Sequence, residues 1–278
     1  MTDRYAVIGN PISHSKSPLI HKMFAEQTGQ DMSYEAIEAP LDGFAVTLQR
    51  LINEGYKGCN VTVPFKFEAY ELAKDYLGKA AQVARAVNTL QFQAGGIVLD
   101  LPVGKIYGNN TDGLGLVRDI EINFRVPLRD KRVLLMGAGG ASYGVVLPLL
   151  NYGASVIVAN RTAEKAVELA AKFPSKNIRG GSYAELTGQQ FDVVINATSA
   201  GLNDSEIPLP TNIFAPGALA YDMMYGRETP FMKFAKAHGA QVADGLGMLV
   251  EQAAEAFAIW RDVRPDTVPV LAALRAAL

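Results

Sequence analysis

The sequence predicts an α/β protein of two units, and three observations carry that prediction. Short β-branched runs alternate with longer amphipathic ones, the pattern of parallel strands joined by helical crossovers. The pattern restarts near Asp112. Beyond that point an apolar run, Val133–Met136, ends in glycines that open a helical pattern, Ala141–Leu150. With 278 residues the chain can hold one large domain or two ordinary ones.

Taken in order, Tyr5–Gly9 reads as a strand, Leu19–Thr28 as a helix, Tyr34–Ala39 as a strand and Phe44–Asn53 as a helix. Gly58–Phe65 is an apolar strand, and Asn88 interrupts another at Ala86–Leu90. Between them and Asp112, Gln93–Tyr107 reads as a hairpin or extended loop, from Gly95-Gly96 and Pro102-Val103-Gly104. Gly113–Phe124 forms a helical bridge. Compact strands follow at Val133–Met136, Ser155–Ala159, Val193–Asn196 and Leu219–Asp222, with helices between them. A long helix from Leu246 to Trp260 and a packing helix from Val268 close the chain. The expected domains are 1–112 joined by the C-terminal helices from about 246–278, with a mostly parallel sheet, and 113–245. A cleft between two such units is a usual place for a small-molecule site.

Composition bounds the partners. Hydrophobic residues at 49% and charged ones at 19% fit a packed globule, and a net charge of -2 supplies no basic field to gather nucleic acid or anionic lipid. No apolar run approaches the roughly 20 residues that span a bilayer, and the N-terminus carries no targeting pattern. The single Cys59 excludes an internal disulfide and suits a reducing compartment, so a cytoplasmic location is expected. His14, His21 and His238 lack metal-ligand spacing, and no metal is expected. Arg261, Asp262 and Arg264 read as a mixed-charge surface turn. The sequence leaves monomer and homodimer both open.

The glycine run predicts a dinucleotide site. In Gly137-Ala138-Gly139-Gly140-Ala141 the backbone can turn sharply and approach a pyrophosphate, with the free N–H groups of a helix N-terminus behind it. The next strand ends in Asn160-Arg161-Thr162, with Lys165 one turn on, where an NAD site usually carries a carboxylate for the ribose 2′-hydroxyl. A guanidinium suits a 2′-phosphate and a carboxylate would repel one, so NADP (NADPH) is expected over NAD. The unit is then of the Rossmann type.

In the first unit, Ser15 and Ser17 lie two apart before a helix, so both hydroxyls can face one anion. Ser17-Pro18 also forms a ready cap and first helical residue. Lys66 directly follows an apolar strand, Asn88 is a buried amide that needs partners, and Asp112 precedes the bridging helix. Taken singly, each has a plain structural reading as a solvated charge, a turn bond or a helix cap.

Together and in order, GNPISHSKSP, NVTVPFK, AVNTL, NNTDGLG, GAGGAS, NRTAEK, NATSAGL, YDMMY and DGLGMLVEQAAEAF resemble the shikimate dehydrogenase family from residue 9 to about 257. The resemblance implies NADPH-dependent reduction of 3-dehydroshikimate to shikimate, a step of chorismate and aromatic amino-acid synthesis. It implies that Ser15 and Ser17 bind the substrate carboxylate, that Thr62, Asn88 and Gln252 contact its other groups, and that Lys66 and Asp112 form the catalytic pair. Tyr225 would line the substrate site, and Met223 and Gly245 would border the nicotinamide. Residues 137–141 and 160–165 would hold the rest of the cofactor, and Asn196 to Ser199, Thr198 among them, would close the strand nearest the nicotinamide. Three positions depart from the family's usual pattern: Arg85 for a glycine, Tyr143 for an arginine, and a longer segment between Leu90 and Gly108.

Lys66 is expected to donate the proton to the oxygen of the reduced carbonyl, oriented by Asp112. The rival readings are a quinate or aminoshikimate dehydrogenase and a catalytically silent NADP-binding regulator. Quinate-active relatives often pair NAD with an acidic residue after the second strand, and Asn160-Arg161-Thr162 speaks against that. A silent regulator could lose Lys66 or Asp112, and both are present.

Overall fold

The computed structural model describes residues 2–93, 98, 100–198 and 208–277. The chain divides into two units, Met1–Gly115 with Val250–Leu278, and Leu116–Leu249.

Unit 1 runs β1 (Asp3–Gly9), α1 (Ser17–Thr28), β2 (Met32–Glu38), α2 (Phe44–Asn53), β3 (Gly58–Val61), α3 (Lys66–Ala73), α4 (Lys79–Ala84), β4 (Thr89–Gln91) and β5 (Tyr107–Asn109). Its sheet has the order β2-β1-β3-β4-β5. The pairs of β1 with β2 and β3 are parallel, and β3–β4 and β4–β5 are antiparallel. Tyr5 to Ile8 are all buried, as expected for a strand covered on both faces. On one side Ile8, Val61 and Leu90 pack with Phe44, Leu51 and Phe65 of the α2 and α3 region, where Phe44 and Phe65 stack at 5.0 Å. Elsewhere in the unit Trp260 stacks on Tyr5 at 4.6 Å and donates its indole N–H to the Leu90 carbonyl at 3.0 Å. Gly58 makes room for that bond, since a Cβ there would lie 2.4 Å from the same carbonyl.

The linking segment is α5 (Asp112–Arg118) with a π-helical turn at Asp119–Asn123. Unit 2 then runs β6 (Arg132–Met136), α6 (Gly140–Asn151), β7 (Ser155–Ala159), α7 (Ala163–Ala171), β8 (Ile178–Gly181), β9 (Phe191–Asn196), β10 (Phe214–Asp222), α8 (Pro230–Ala237) and β11 (Gln241–Ala243). All six strands are parallel in the order β11-β10-β9-β6-β7-β8. Counted within the unit this is the 3-2-1-4-5-6 order of the doubly wound Rossmann sheet, whose order reverses between β6 and β9. Ligands of such sheets bind beyond the carboxyl ends of the strands at that reversal. Val133 to Leu135, Val193 to Ile195 and Ala218 to Tyr221 are buried, each large apolar side chain contributing ~1.5–3 kcal/mol. The chain ends with α9 (Leu246–Arg261) and α10 (Val268–Ala276). Among the described residues no helix is long and apolar enough to cross a membrane, and no group of side chains could hold a metal ion.

Several expected boundaries move. The strand expected over Gly58–Phe65 stops at Val61, because Phe65 N–H turns back to the Thr62 carbonyl at 3.0 Å, around a Pro64 that has no N–H. Lys66 therefore opens a helix and does not directly follow a strand. Ser17 is the first helical residue of α1 and Lys16 holds the cap position, so Ser17 is not the cap. Asn88 precedes β4 and does not interrupt it. Arg85 ends α4 with φ +50, a left-handed conformation that favours glycine. Asp262, with φ +53, and Arg264 are exposed, as expected for a mixed-charge surface turn, while Arg261 is half-buried. Arg261 pairs with Asp3 and donates to Gln30 at 2.7 Å, while Arg264 bonds Glu255 and, at 3.0 Å, the buried carboxylate of Glu251. Of the expected Gln93–Tyr107 loop, residues 94–97 and 99 lie outside the described ones.

Candidate functional site

Strand direction gathers the unit 1 candidates at one edge of its sheet. β1 and β3 are parallel, so the segment after Gly9, with Ser15 and Ser17, leaves the same edge as Thr62 and Lys66 after Val61. β4 is antiparallel to β3, so its start, at Asn88, returns to that edge. β5 reverses again and delivers residues 110–112 there. The Asn10 N–H to Val63 carbonyl bond, 3.1 Å, stitches the first two segments together.

At this edge Lys66 Nζ lies 2.5 Å from Asp112 Oδ2, with side chains 27% and 13% exposed. The ammonium is thus held but still reachable. Among the described residues this is its one protein bond, which leaves N–H donors for a ligand. Asp112 Oδ1 accepts from Asn88 Nδ2 at 2.8 Å, and its backbone N–H donates to Asn110 Oδ1 at 3.1 Å. Asn88 Nδ2 also reaches Thr111 Oγ1 at 2.9 Å and Gln252 Oε1, on α9, at 3.3 Å. Lys66, Asn88, Asp112 and Gln252 are therefore one bonded cluster. Ser15 is half-buried and Ser17 buried, and the Ser17 N–H donates to Ser15 Oγ at 3.3 Å. Thr62 lies beside Gly9, where a Cβ would come within 2.5 Å of its methyl group. Such an edge offers hydroxyls to an anion and a paired ammonium to an oxygen that gains negative charge.

Unit 2 builds a different kind of site. Gly137 takes φ +100 as the chain leaves β6, and a Cβ there would lie 3.1 Å from the Thr198 methyl group. Ser142 Oγ donates to the Gly137 carbonyl at 2.9 Å, closing the turn from beneath. Ala138 is half-buried, while Gly139, Gly140 and Ala141 are exposed where α6 begins. The N–H groups of that first turn have no partner within the helix and suit phosphate oxygens. At the end of β7, Asn160 donates to the Thr162 carbonyl at 3.0 Å, and Arg161 and Lys165 are exposed. Thr162 holds the cap position of α7 without a side-chain bond. No carboxylate stands at 160–163, so the residues present fit a 2′-phosphorylated dinucleotide. Burial raises the phenol of nearby Tyr183 to about 12, an effect that the Arg161 charge opposes.

Further along the same carboxyl edge, Thr198 Oγ1 and N–H both bond Asn196 Oδ1, at 2.7 and 3.1 Å. Met223 N–H bonds the Asn196 carbonyl at 3.1 Å, and Gly245 sits where a Cβ would be 2.2 Å from the Met223 carbonyl. Thr198, Met223 and Gly245 therefore belong to one neighbourhood. Tyr225 follows β10, half-buried, with its phenol raised by burial. Ser199 lies outside the described residues. Tyr143 stands under the Lys172 ammonium, 4.5 Å from its ring centre. Sequence reasoning did not single out Thr111, which bonds Asn88, or Tyr34, Asn60 and Thr89, which bond in a row behind Asn88. The available signal was Asn60, a polar residue inside the fully buried strand Gly58–Val61.

Three family models match successive parts of the chain: the shikimate dehydrogenase substrate binding domain over residues 7–90, shikimate / quinate 5-dehydrogenase over 120–203, and the shikimate 5′-dehydrogenase C-terminal domain over 245–275. A relative from Methylobacillus flagellatus, shikimate dehydrogenase (NADP(+)), is 58% identical over 99% of this chain and 100% of its own. Among solved structures, an Ael1 enzyme from Pseudomonas putida is 49% identical with a TM-score of 0.91, covering 98% of both chains. Shikimate 5-dehydrogenase from Thermus thermophilus, solved with NADP(H) and shikimate, is 34% identical with a TM-score of 0.85, covering 100% of both.

Proposed function

This chain belongs to the shikimate dehydrogenase family, and we propose that Lys66 and Asp112 carry the proton transfer of the family's reaction in it. The chain is an NADP-dependent oxidoreductase that interconverts 3-dehydroshikimate and shikimate in aromatic amino-acid synthesis. The observation that supports the assignment of the pair is the 2.5 Å bond between a partly exposed ammonium and a carboxylate that Asn88 also holds.

NADPH, when bound, supplies the hydride. As negative charge grows on the carbonyl oxygen, Lys66 stabilises it and delivers a proton, and Asp112 keeps the ammonium aimed. Ser15 and Ser17 take the substrate carboxylate, and Thr62, Asn88, Gln252 and Tyr225 contact its other groups. In unit 2, Gly137, Ala138, Gly139, Gly140 and Ala141 hold the pyrophosphate, and Asn160, Arg161, Thr162 and Lys165 hold the 2′-phosphate. Thr198, Met223 and Gly245 border the nicotinamide. In this proposal residues 1–112 with the C-terminal helices from about 246 bind substrate, and 113–245 bind cofactor. A cytoplasmic location belongs to the same proposal, supported by a single buried thiol, Cys59. Sedimentation of the purified chain decides between the monomer and the homodimer that the sequence leaves open.

Initial rates with shikimate, quinate and aminoshikimate, each against NADP and NAD, test the substrate assignment. Shikimate with NADP should give the highest kcat/KM by about tenfold or more. Quinate with NAD as the best pair would contradict it.

A further inference from the structure

Behind the Lys66–Asp112 pair, inside unit 1, runs a row of buried polar side chains whose hydrogen bonds have forced directions. Asn60 Nδ2 donates to the backbone carbonyl of Asn88 at 3.0 Å, and a carbonyl can only accept. The Asn60 amide is thereby oriented, and its oxygen accepts from the Tyr34 phenol at 2.7 Å. The same Nδ2 donates to Thr89 Oγ1 at 3.1 Å, so that hydroxyl accepts there and must spend its own proton elsewhere. It spends it on Asn88 Oδ1, at 2.9 Å. With its oxygen so engaged, Asn88 turns its NH2 group to Asp112 Oδ1 at 2.8 Å. A flipped amide would press an oxygen against the carboxylate.

Surroundings keep the row in this one protonation state. Burial holds the Tyr34 phenol well above its usual range. The His21 ring stacked on it at 4.1 Å is held neutral, its pKa pushed down by burial to about 3. Asn60, Asn88 and Thr89 are themselves buried. The Thr111 N–H and hydroxyl also bond Asn88 Oδ1, at 2.9 and 3.3 Å, but from the residue next to Asp112 and not from a strand of the sheet. Among the side-chain bonds, the Asn60–Thr89 link is what refers the amide to the sheet, because those residues face each other across β3 and β4.

We infer that Asn60 and Thr89 are positioning residues: they fix which way the Asn88 amide faces, and so hold Asp112 and Lys66 at the angle that proton transfer requires. The inference rests on the reading of Lys66 and Asp112 as the proton-transfer pair. Neither Asn60 nor Thr89 needs to touch substrate for it.

The test is Thr89→Val, which keeps shape and removes the hydroxyl, beside Thr89→Ser, which keeps the hydroxyl. Shikimate oxidation is followed per folded site, counted by NADPH binding. Thr89→Val should lower kcat about 10- to 100-fold, the range for a misplaced catalytic group, with KM for NADP unchanged within about twofold. Thr89→Ser should recover kcat to within about threefold of the parent. A Thr89→Val enzyme with parental kcat, or a Thr89→Ser enzyme no better than the valine variant, overturns the inference. If Thr89→Val does not fold, Tyr34→Phe, which removes the first donor of the row, is read the same way with an expected loss of about threefold or more. Lys66→Ala, run in parallel, separates the two readings. Retained turnover there removes the pair itself, whereas an inactive Lys66→Ala beside a normal Thr89→Val removes only the positioning role.

Discussion

On the proposed assignment, unit 1 and unit 2 prepare for their ligands in opposite ways. In unit 1, Lys66, Asp112, Asn88, Thr111 and Gln252 are joined side chain to side chain, with bonds of 2.5 to 3.4 Å, and Asn88 and Thr111 are buried. In unit 2, the turn at Gly137–Ala141 presents backbone, and Arg161 and Lys165 are exposed. A proton is delivered along one direction to one atom, so its donor must be fixed before substrate arrives. A phosphate spreads its charge over several oxygens, and a flexible cation can find it. The comparison predicts that changes in unit 1 act together and on kcat, whereas those in unit 2 act singly and on cofactor KM.

The largest effect should come from Asp112. Asp112→Ala should lower kcat about 10²- to 10⁴-fold, and adding Lys66→Ala should cost no more than about a further tenfold. Fully additive losses would break the claim that unit 1 acts as one device. Next, Arg161→Ala should raise the KM for NADPH about 10- to 100-fold while moving that for NADH less than about threefold. Equal shifts for both cofactors would remove the 2′-phosphate clamp from unit 2.

The interior of unit 1 gives two smaller effects. His21 is fully buried, and desolvation pushes its pKa from the usual 6.5 down to about 3. The unfolded chain gains this proton as pH falls through 6.5, and the folded chain does not. Its contribution to stability is therefore whole above pH 6.5 and falls by about 1.4 kcal/mol per pH unit below it. Denaturant melts of the parent from pH 7 to 5 should show that slope, and His21→Phe should flatten it; an unchanged slope would place the titration elsewhere. Trp260→Phe removes the bond to the Leu90 carbonyl and should cost about 1 kcal/mol, a Tm lower by about 2–4 °C, with kcat unaltered. A fall in kcat would mean that the sheet beneath the cluster is less rigid than its packing implies.

Sequence legibility follows the same division. The glycine turn between β6 and α6, and Asn160-Arg161-Thr162 after β7, could be read directly, because each is a local requirement carried by neighbouring residues. The strands β8 and β11 went unread. In β8, Ile178-Arg179-Gly180-Gly181 has little strand propensity, and Gly180 is there because a Cβ would lie 2.1 Å from the Ala166 carbonyl of α7. Lys66 and Asp112 could be singled out as residue types at suggestive places, but their bond spans 46 positions and needs the sheet order to be seen. The row from Tyr34 to Asn88 was hidden for the same reason. Only the register Asn60↔Thr89 makes those two polar residues partners, and no periodicity in either segment states it. The carboxylate partners of Arg261 and Arg264, Asp3 and Glu251, were not legible because they lie elsewhere in the chain.

Steady-state turnover of Lys66→Ala, followed at the nicotinamide absorbance with shikimate and NADP, bears most directly on the central claim that the residue 66 ammonium is the proton donor. The expected result is a kcat lower by about 10²- to 10⁴-fold with KM for shikimate within a few-fold of the parent. A kcat close to the parent value would contradict it.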